Sequence, residues 1–306
     1  MYTNLALISD SYKYSHYKQY PVGTTNVYSY FESRGSDLGT DEIVFFGLQG
    51  ILKEYLQNPV SPANVREAKE LVDSHMLGDA LFNTKGWLHI VKEHQGQFPV
   101  VINAVPEGSI HKPHDVLMTI ENTCDECHWV TNYLETMLVR VWYPITVATQ
   151  SRMLKQGINK FLEKTGDPEG LPFKLHDFGY RGASSEETAS IGGAAHLVNF
   201  MGTDTIAGIR YAREFYEATM PGHSIPAAEH STITSWGKSH EADAFSNILT
   251  QYGSGPYVAV VSDSYDIHNA CKHIWGESLK EAVLDFPGTV MVRLDSGDPE
   301  ETAMRA

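Results

Sequence analysis

From about residue 146 onward, the sequence repeats one unit: a short apolar run, a polar turn and an amphipathic helical pattern. The runs YVAVVSD and GTVMVRLD are the clearest strands of this kind. Alternating strands and helices predict a parallel sheet, and in a closed βα barrel the functional groups lie at the carboxyl ends of the strands. A complete barrel needs about eight units, and the sequence supplies about five. We therefore predict an α/β protein with an incomplete βα barrel over residues 146–306.

Residues 1–145 follow another pattern and mix element types. The run VYSYFESR alternates like a strand, and PVVINAVP and DVLMTIEN also read as strands. Ser61 stands directly before a proline, an order typical of a helix N-cap and first helical position. A further helix is predicted over residues 127–143, ending near Pro144. This part of the chain is predicted to form an N-terminal α+β domain.

Composition limits the classes of function. The 306 residues are 42% hydrophobic, which is enough for a large core. The formal net charge of -15 argues against a nucleic-acid-binding surface, so an anionic substrate would need local cations such as Arg34, Arg181 and Arg293, or a metal. The sequence has no export signal and no run of ~20 apolar residues. We expect a cytoplasmic protein with neither a nucleic-acid nor a membrane partner.

The cysteines give a weak motif. The stretch CDECH, from Cys124 to His128, matches the pattern for covalent haem attachment, but without an export signal this interpretation is disfavoured. Zinc is also disfavoured, since Cys124, Cys127 and His128 have no second ligand pair nearby in the sequence and Cys271 stands alone. The sequence favours reduced cysteines at the start of a helix.

Polar clusters follow several of the apolar runs. The stretch HDFGYRG, residues 176–182, places a carboxylate, an aromatic ring and a guanidinium together, which suits a flat, charged ligand. Phosphate-loop, dinucleotide-binding, zincin and serine-hydrolase motifs are absent from the sequence. The other clusters lie at Asp204, at Glu229 and His230, at Asp263, and at Arg293 and Asp295. Together these clusters predict a site at the strand ends.

These motifs carry a resemblance to a known family. DSYKYSHYKQYP, GLQGIL, WYPITVATQSR, HDFGYRG, GTDT, IPAAEHSTI, VSDSYDI and RLDSGDP follow one another as in the nicotinamide phosphoribosyltransferase family. The resemblance covers nearly the whole chain and implies the irregular barrel of the type II phosphoribosyltransferases. It also implies synthesis of nicotinamide mononucleotide and pyrophosphate from nicotinamide and phosphoribosyl pyrophosphate, in NAD biosynthesis. The sequence resembles the N-terminal portion of the family, whose remaining barrel units lie beyond its residues.

The resemblance assigns the nicotinamide ring to two aromatic side chains. Phe178 is expected to stack on one face of the ring, and Tyr12 from a second subunit on the other, which requires a homodimer with shared sites. Asp204 is expected to accept a hydrogen bond from the carboxamide and to repel the carboxylate of nicotinate. The sequence alone also predicts Asp204 as the N-cap of the next helix. Ser224 and Ile225 are further expected substrate contacts.

The charged residues are expected to serve the phosphoribosyl group. Arg181 and Arg293 would contact the amide and the phosphoribosyl group, and Arg34 would help to hold the pyrophosphate.

The resemblance places catalytic roles on His230, Asp263, Arg293 and Asp295. Both aspartates are expected to face the ribose and Mg²⁺, with the metal held partly through substrate phosphates. His230 matches a histidine that the family phosphorylates, with ATP as donor, and Glu229 is expected either to bond His230 or to lie near the metal.

Two alternatives remain open at this point. Nicotinate phosphoribosyltransferase has the same fold and reaction class, although Asp204 argues against it. The second alternative is a protein without catalytic activity: a truncated chain that binds nicotinamide or pairs with an intact subunit.

Overall fold

The computed structural model describes residues 4–35, 37, 39–77 and 81–306. The chain divides into two compact units, Met1–His223 and Ser224–Ala306, which we call unit 1 and unit 2. Their boundary differs in position from the predicted one near residue 145, and the predicted division into domains stays a prediction.

The strands are short in both units. In unit 1 they are β1 (Tyr28–Glu32), β2 (Ile43–Val44), β3 (Val100–Ala104), β4 (Ile110–His111), β5 (Val116–Asn122), β6 (His176–Asp177) and β7 (Gly202–Thr203). In unit 2 they are β8 (Tyr257–Val261) and β9 (Thr289–Arg293).

Helices make up most of the remaining regular structure. Those of unit 1 are α1 (Leu48–Ile51), α2 (Pro62–His75), α3 (Thr84–Glu93), α4 (Val130–Tyr133), α5 (Glu135–Leu138), α6 (Trp142–Thr165), α7 (Glu186–His196) and α8 (Ile206–Tyr216). Those of unit 2 are α9 (His230–Thr234), α10 (Glu241–Gln251), α11 (Ile267–Asn269), α12 (Lys280–Asp285) and α13 (Pro299–Arg305). The 3₁₀ helices include Ser11–Lys18, Asp125–Cys127 and Gly179–Gly182.

The first part of unit 1 contains an antiparallel sheet in the order β1-β5-β3. Its three strands are the alternating runs predicted from the sequence. The predicted cap of α2 is confirmed, because the Ser61 side chain accepts a hydrogen bond from the amide of Asn64 and Pro62 is the first helical residue. No helix within the described residues is long and apolar enough to cross a lipid bilayer.

Parallel pairing follows in the later part of the chain, as predicted. In unit 1, β6 pairs with β7, and in unit 2, β8 pairs with β9 over five residues. The run HSIPAAEH, residues 223–230, also suggests a strand in the sequence, but it makes only two isolated parallel bridges, His223 with Gly202 and Ala227 with Ala259. The strands of the described residues do not close into a barrel, in keeping with the predicted incomplete one.

The prediction of a helix that ends near Pro144 was wrong in the bounds of that helix. Residues 127–141 form short turns of helix, and α6 then begins at Trp142 and runs through Pro144 to Thr165. Proline is tolerated there because it lies in the first turn, where the backbone N–H groups have no partner within the helix.

Each unit has its own apolar core. In unit 1 the core gathers around Trp87, Phe45 and Leu117, and in unit 2 around Phe245 and Val258. Helices α7 and α8 approach closely in unit 1, since a Cβ added at Gly193 would lie 3.0 Å from the Cα of Gly208. Only glycine permits that approach between the two helices.

Candidate active site

A first cluster of polar and aromatic groups lies at the end of β6 and β7 in unit 1. His176 Nε2 lies 3.0 Å from Asp204 Oδ1, and the His176 ring lies 4.7 Å from the Phe178 ring. Parallel pairing creates this arrangement: Asp177 and Thr203 are partners in register, so the residues on either side meet at one edge. The amide of Asp204 also donates to the carbonyl of Asp177 at 2.8 Å.

Phe178 is the exposed aromatic residue of this cluster. Its side chain is 55% exposed, although a phenyl ring favours burial. It precedes the turn Gly179–Gly182, which is fixed by a hydrogen bond from the amide of Gly179 to Asp177 Oδ1 at 2.8 Å. Arg181 lies in the same turn and is exposed, and its side chain makes no hydrogen bond or ion pair to any described residue. The turn thus presents a ring and a guanidinium to solvent.

A cavity of about 280 Å³ opens beside Phe178. Its walls come from α6, from the end of β6 and from α7, and include Tyr143, Asp177, Gly193 and His196. This volume is close to the lower end of the range for small-molecule sites. The cavity therefore has room for a ligand of a single ring with a small substituent.

His196 supports the cluster from beneath. This buried histidine lies 3.1 Å from the carbonyl of Gly202 through Nε2, and its ring stacks on Phe200 at 5.3 Å. The pKa of His196 is lowered, mainly because the ring is buried. We assign the neutral ring with a proton on Nε2, donated to Gly202, because a carbonyl oxygen can only accept. His196 therefore fixes β7 and, through it, Asp204.

The sequence prediction of Asp204 as a helix N-cap was wrong. The N-cap of α8 is Thr205, which makes no capping hydrogen bond through its side chain. The Asp204 carboxylate instead lies against His176, and its side chain is 39% exposed. The expected role of Asp204 toward a ligand stays a prediction.

A second cluster lies at the ends of β8 and β9 in unit 2, with Asp263 at its centre. Asp263 Oδ1 lies 3.0 Å from His230 Nε2. Its Oδ2 accepts hydrogen bonds from Ser296 Oγ at 2.5 Å and from the amide of Asp295 at 3.1 Å. The Asp263 side chain is only 3% exposed. One buried carboxylate thus holds a histidine from one segment and a turn from another.

The pKa of Asp263 lies below its ordinary value. Burial by itself would raise the pKa, but the hydrogen bonds from Ser296, His230 and the amide of Asp295 outweigh it. Because a carboxylate only accepts, His230 donates from Nε2, which leaves the lone pair of Nδ1 available. Nδ1 lies 3.8 Å from Asp295 Oδ2.

The end of β8 is itself firmly held. Trp275 donates from Nε1 to the buried Ser262 Oγ at 3.0 Å, and Ser262 donates to the carbonyl of Val260 at 3.0 Å. The Trp275 ring stacks on Phe245 at 4.7 Å with an angle of 3°. This support fixes the residue directly before Asp263.

Arg293 and Asp295 complete the second cluster. Arg293 Nη2 lies 3.8 Å from Asp295 Oδ2, while its buried Nε has no hydrogen-bond partner among the described residues. Asp295 is 49% exposed, so its carboxylate is the one in this cluster that is open to a cation or a substrate.

The predicted site residues just before α9 make no described contact with Asp263. Glu229 is the N-cap residue of α9, and its carboxylate accepts a hydrogen bond from Ser231 rather than from His230. Ser224 is exposed and Ile225 is half-buried, both before the bridge at Ala227. The structure therefore brings together His230, Asp263, Arg293 and Asp295, with Glu229 beside them in sequence.

Tyr12 and Arg34 lie elsewhere in unit 1, with no described contact to Phe178. Tyr12 is 57% exposed on the turn Ser11–Lys18, edge-on to His16 at 5.0 Å. Arg34 lines a larger cavity of about 720 Å³, together with Tyr30 and Trp142.

Sequence reasoning assigned no role to three residues that position others. They are His176, His196 and Ser296. His176 belonged to a recognised motif, and its place one residue before Asp177 on a strand end was the available signal. His196 and Ser296 gave no such signal, because their partners are distant in sequence or belong to the backbone.

Two family models match the chain. The model described as nicotinamide phosphoribosyltransferase, N-terminal domain, matches residues 4–102, and that of the nicotinate phosphoribosyltransferase (NAPRTase) family matches residues 173–306. Both polar clusters fall within the second match.

Two curated relatives align along almost the whole chain. The nicotinamide phosphoribosyltransferase of Xanthomonas campestris is 54% identical over 97% of this chain, which spans 63% of that relative. The protein of the same name from Mycoplasma pneumoniae is 31% identical over 96% of the chain, which spans 67% of it. The chain thus spans about two thirds of the length of these relatives.

A solved structure shares the fold. The crystal structure of human nicotinic acid phosphoribosyltransferase superposes with a TM-score of 0.65 at 16% identity, covering 97% of this chain and 63% of that one. The fold is that of the type II phosphoribosyltransferases, as expected. Within that class, the chain belongs to the nicotinamide phosphoribosyltransferase family.

Proposed function

We propose that the protein forms nicotinamide mononucleotide and pyrophosphate from nicotinamide and phosphoribosyl pyrophosphate. The observation that carries this proposal is the 54% identity, over 97% of the chain, to a relative named for that activity. The two polar clusters support it, because the residues expected to contact substrate lie at strand ends with exposed functional groups.

The Phe178 cluster would bind the nicotinamide ring. The exposed phenyl ring offers a stacking surface, and a stacked pair adds about 0.5–1.5 kcal/mol beyond area burial. Asp204 keeps a carboxylate exposed beside it, held in place by His176. That carboxylate accepts a hydrogen bond from the carboxamide N–H but repels the carboxylate of nicotinate, which favours nicotinamide over the alternative substrate.

The Asp263 cluster would bind the phosphoribosyl group. In the reaction the bond from C1 of ribose to the pyrophosphate oxygen breaks, and its electron pair leaves with pyrophosphate. The pyridine nitrogen then supplies the electron pair for a new bond to C1. Positive charge develops on the sugar meanwhile, so fixed carboxylates near the ribose and guanidinium groups on the phosphates lower the barrier. Asp263, Asp295 and Arg293 are suited to these roles.

We further propose Mg²⁺ as the metal of the Asp263 cluster. Oxygen ligands suit Mg²⁺, which is held by one or two carboxylates together with phosphates. Asp295 fits this requirement with its exposed carboxylate, whereas both Asp263 oxygens already accept hydrogen bonds. Asp295 would therefore be the direct ligand and Asp263 its support. When bound, the metal would neutralise charge on the leaving pyrophosphate.

His230 is our proposed acceptor for the phosphoryl group of ATP. The Nε2–H group of His230 donates a hydrogen bond to Asp263, which leaves Nδ1 as the nucleophilic nitrogen on a half-exposed ring. In this step Nδ1 attacks the γ-phosphorus, and the bond to the β-γ bridging oxygen breaks to release ADP.

A homodimer is the assembly that we propose. Exposed aromatic side chains support it: Tyr12, Tyr28, Tyr30 and Trp142 are each more than half exposed in unit 1. Such residues are enriched at protein interfaces. We also infer a cytoplasmic location, with unpaired cysteines in keeping with it.

The test is a competition assay. The protein is incubated with phosphoribosyl pyrophosphate, Mg²⁺ and equal nicotinamide and nicotinate, and both mononucleotides are measured. Preferential formation of nicotinamide mononucleotide is expected. Preference for nicotinate would identify the alternative enzyme, and nicotinamide binding without any product would identify a binding protein.

A further inference from the structure

Four metal-ligating side chains meet in unit 1, outside both polar clusters. His89 lies on α3 and His94 is its C-cap residue, while Cys124 and Cys127 flank the turn after β5. One ligand atom from each of these four residues lies within 4.8 Å of the others. We propose that they form a structural site for one Zn²⁺ ion.

The pattern of the four residues is that of structural zinc sites. Such sites combine a Cys-x₂₋₄-Cys pair with a His-x₃₋₅-His pair. Here Cys124 and Cys127 are separated by two residues, and His89 and His94 by four. The second ligand pair, which was not predicted from the sequence, thus comes from α3 and its C-cap residue, about thirty residues earlier. His128, which completes the haem-like motif, is not a member of the group.

The distances suit a tetrahedral centre. With bonds of about 2.3 Å to sulfur and 2.0–2.1 Å to nitrogen, tetrahedral zinc holds a sulfur and a nitrogen about 3.6 Å apart. Cys124 Sγ lies 3.5 Å from His89 Nε2. The 4.8 Å spread of the whole set would need only a small closure of side chains.

His94 supplies an independent sign of a ligand. Its Nε2 is buried and has no hydrogen-bond partner among the described residues. An unsatisfied buried polar atom is costly and uncommon in folded proteins. The Cys127 side chain beside it is fully buried. A metal ion bound to both would satisfy the orphaned nitrogen without exposing either group to water.

The backbone around the four residues is well fixed. Asn122 Nδ2 donates to the carbonyl of Cys124 at 2.9 Å, and the amide of Cys127 donates to the same oxygen at 2.9 Å. On the other side, the buried Trp87 anchors α3 and lies edge-on to Trp129 at 5.2 Å. Ligands on such supports are held in place before the ion binds.

Four protein ligands would fill a tetrahedral shell and leave no position for a substrate, so the site is structural rather than catalytic. Two thiolates neutralise the charge of Zn²⁺, and nitrogen and sulfur ligands in this geometry favour zinc over magnesium. The ion would tie α3 to the turn after β5, the central strand of the antiparallel sheet.

Cobalt(II) is the probe for the test. The complete protein is freed of metal with a chelator under reducing conditions and titrated with Co²⁺, while its absorption spectrum is recorded. We expect a thiolate-to-cobalt charge-transfer band and the intense bands of tetrahedral cobalt, saturating at about one ion per chain. Zn²⁺ should then displace cobalt and bleach both bands.

Variants identify the ligands. Cys124→Ser and His94→Gln should each lower metal affinity by more than about 100-fold, since even changes to supporting groups cost ~10–100-fold. Cys271→Ser and His128→Gln are the matched controls, as they remove the third cysteine and the neighbouring histidine. Both should bind cobalt as the wild-type chain does.

Several results would overturn the proposal. One is a wild-type chain that gives no charge-transfer band under reducing conditions, an observation that does not depend on any variant folding. Another is an unchanged cobalt affinity in folded Cys124→Ser and His94→Gln. A third is a band lost in His128→Gln but kept in His94→Gln, which would place His128 rather than His94 among the ligands.

Discussion

Two histidine–aspartate pairs, one in each unit, share their local design and differ in their surroundings. In unit 1, His176 lies 3.0 Å from Asp204, and in unit 2, His230 lies 3.0 Å from Asp263. Both aspartates follow a parallel strand. Asp204 is 39% exposed, however, whereas Asp263 is 3% exposed and accepts two further hydrogen bonds.

The difference in exposure suggests that Asp204 recognises a ligand and that Asp263 positions neighbouring residues. A buried carboxylate with all its hydrogen bonds made holds its neighbours rigidly and has little capacity for a ligand. An exposed carboxylate beside a histidine is accessible to a ligand, and it can discriminate between ligands by charge. We therefore expect Asp263 variants to lose rate and Asp204 variants to lose selectivity.

The largest effect is expected from Asp263→Asn. The variant keeps the shape of the side chain but loses the charge that orients His230 and the turn at Asp295. Because misplacement of about 1 Å can cost ~100-fold in rate, kcat/KM for nicotinamide mononucleotide synthesis should fall by about 100-fold. Steady-state kinetics measure it.

Asp285→Asn is the control for that variant, since Asp285 is an exposed residue at the end of α12. It should retain the wild-type kcat/KM. A decrease of less than about threefold in Asp263→Asn, with the fold intact by circular dichroism, would contradict the positioning role.

Asp204→Ser is expected to have a smaller effect, on the ratio of kcat/KM for nicotinamide to kcat/KM for nicotinate. Removing the negative charge should lower the preference for nicotinamide over nicotinate by at least about tenfold, because like charges at a binding site cost several kcal/mol. The measured quantity is the ratio of the two kcat/KM values. His176→Gln retains the carboxylate and should change the ratio less. An unchanged ratio in Asp204→Ser would refute the assignment of selectivity to this residue.

Phe178→Ala should weaken nicotinamide binding by about 2- to 10-fold from lost stacking alone. Isothermal titration of nicotinamide into the protein measures the change. Phe161→Ala is the matched control, because Phe161 is also an exposed phenylalanine, on α6. Equal affinities in the wild type and Phe178→Ala would show that the ring does not stack on Phe178.

Much of this arrangement could be predicted from the sequence. Strand periodicity located β8 and β9, and the polar residues after them identified Asp263, Arg293 and Asp295. Strand ends in a parallel sheet meet, so their proximity followed from the pattern alone. The Phe178 turn was found in the same way.

Other features depended on contacts that no local pattern encodes. The proposed zinc site was not predicted because its two halves lie on α3 and on the turn after β5, which only the tertiary fold brings together. The extension of α6 through Pro144 was missed because the sequence marks a proline but not its place in the first turn. The N-cap assigned to Asp204 failed because the tertiary contact with His176 engages its carboxylate.

The smallest effect is expected in the pH dependence of stability. It concerns the buried residues that support the two histidine–aspartate pairs. Unit 1 uses the buried His196, whose pKa is lowered mainly by burial, whereas unit 2 uses Trp275, which does not titrate. As the pH falls below the ordinary histidine pKa of 6.5, the unfolded chain binds a proton that folded His196 does not. Stability from His196 is thus complete above that pH and decreases as the pH falls toward the folded pKa.

The decrease has a maximum slope of about 1.4 kcal/mol per pH unit in the free energy of unfolding. Urea denaturation at about pH 7.5, 6.5 and 5.5 measures it. His196→Gln, whose amide can still donate to Gly202, should show a shallower slope below about pH 6.5, while the exposed-site control His268→Gln should keep the wild-type slope. Equal slopes in the wild type and His196→Gln would mean that His196 is not held neutral beneath β7. His196 would then contribute no pH-dependent stability, and the contrast between the two units would lie in the aspartates alone.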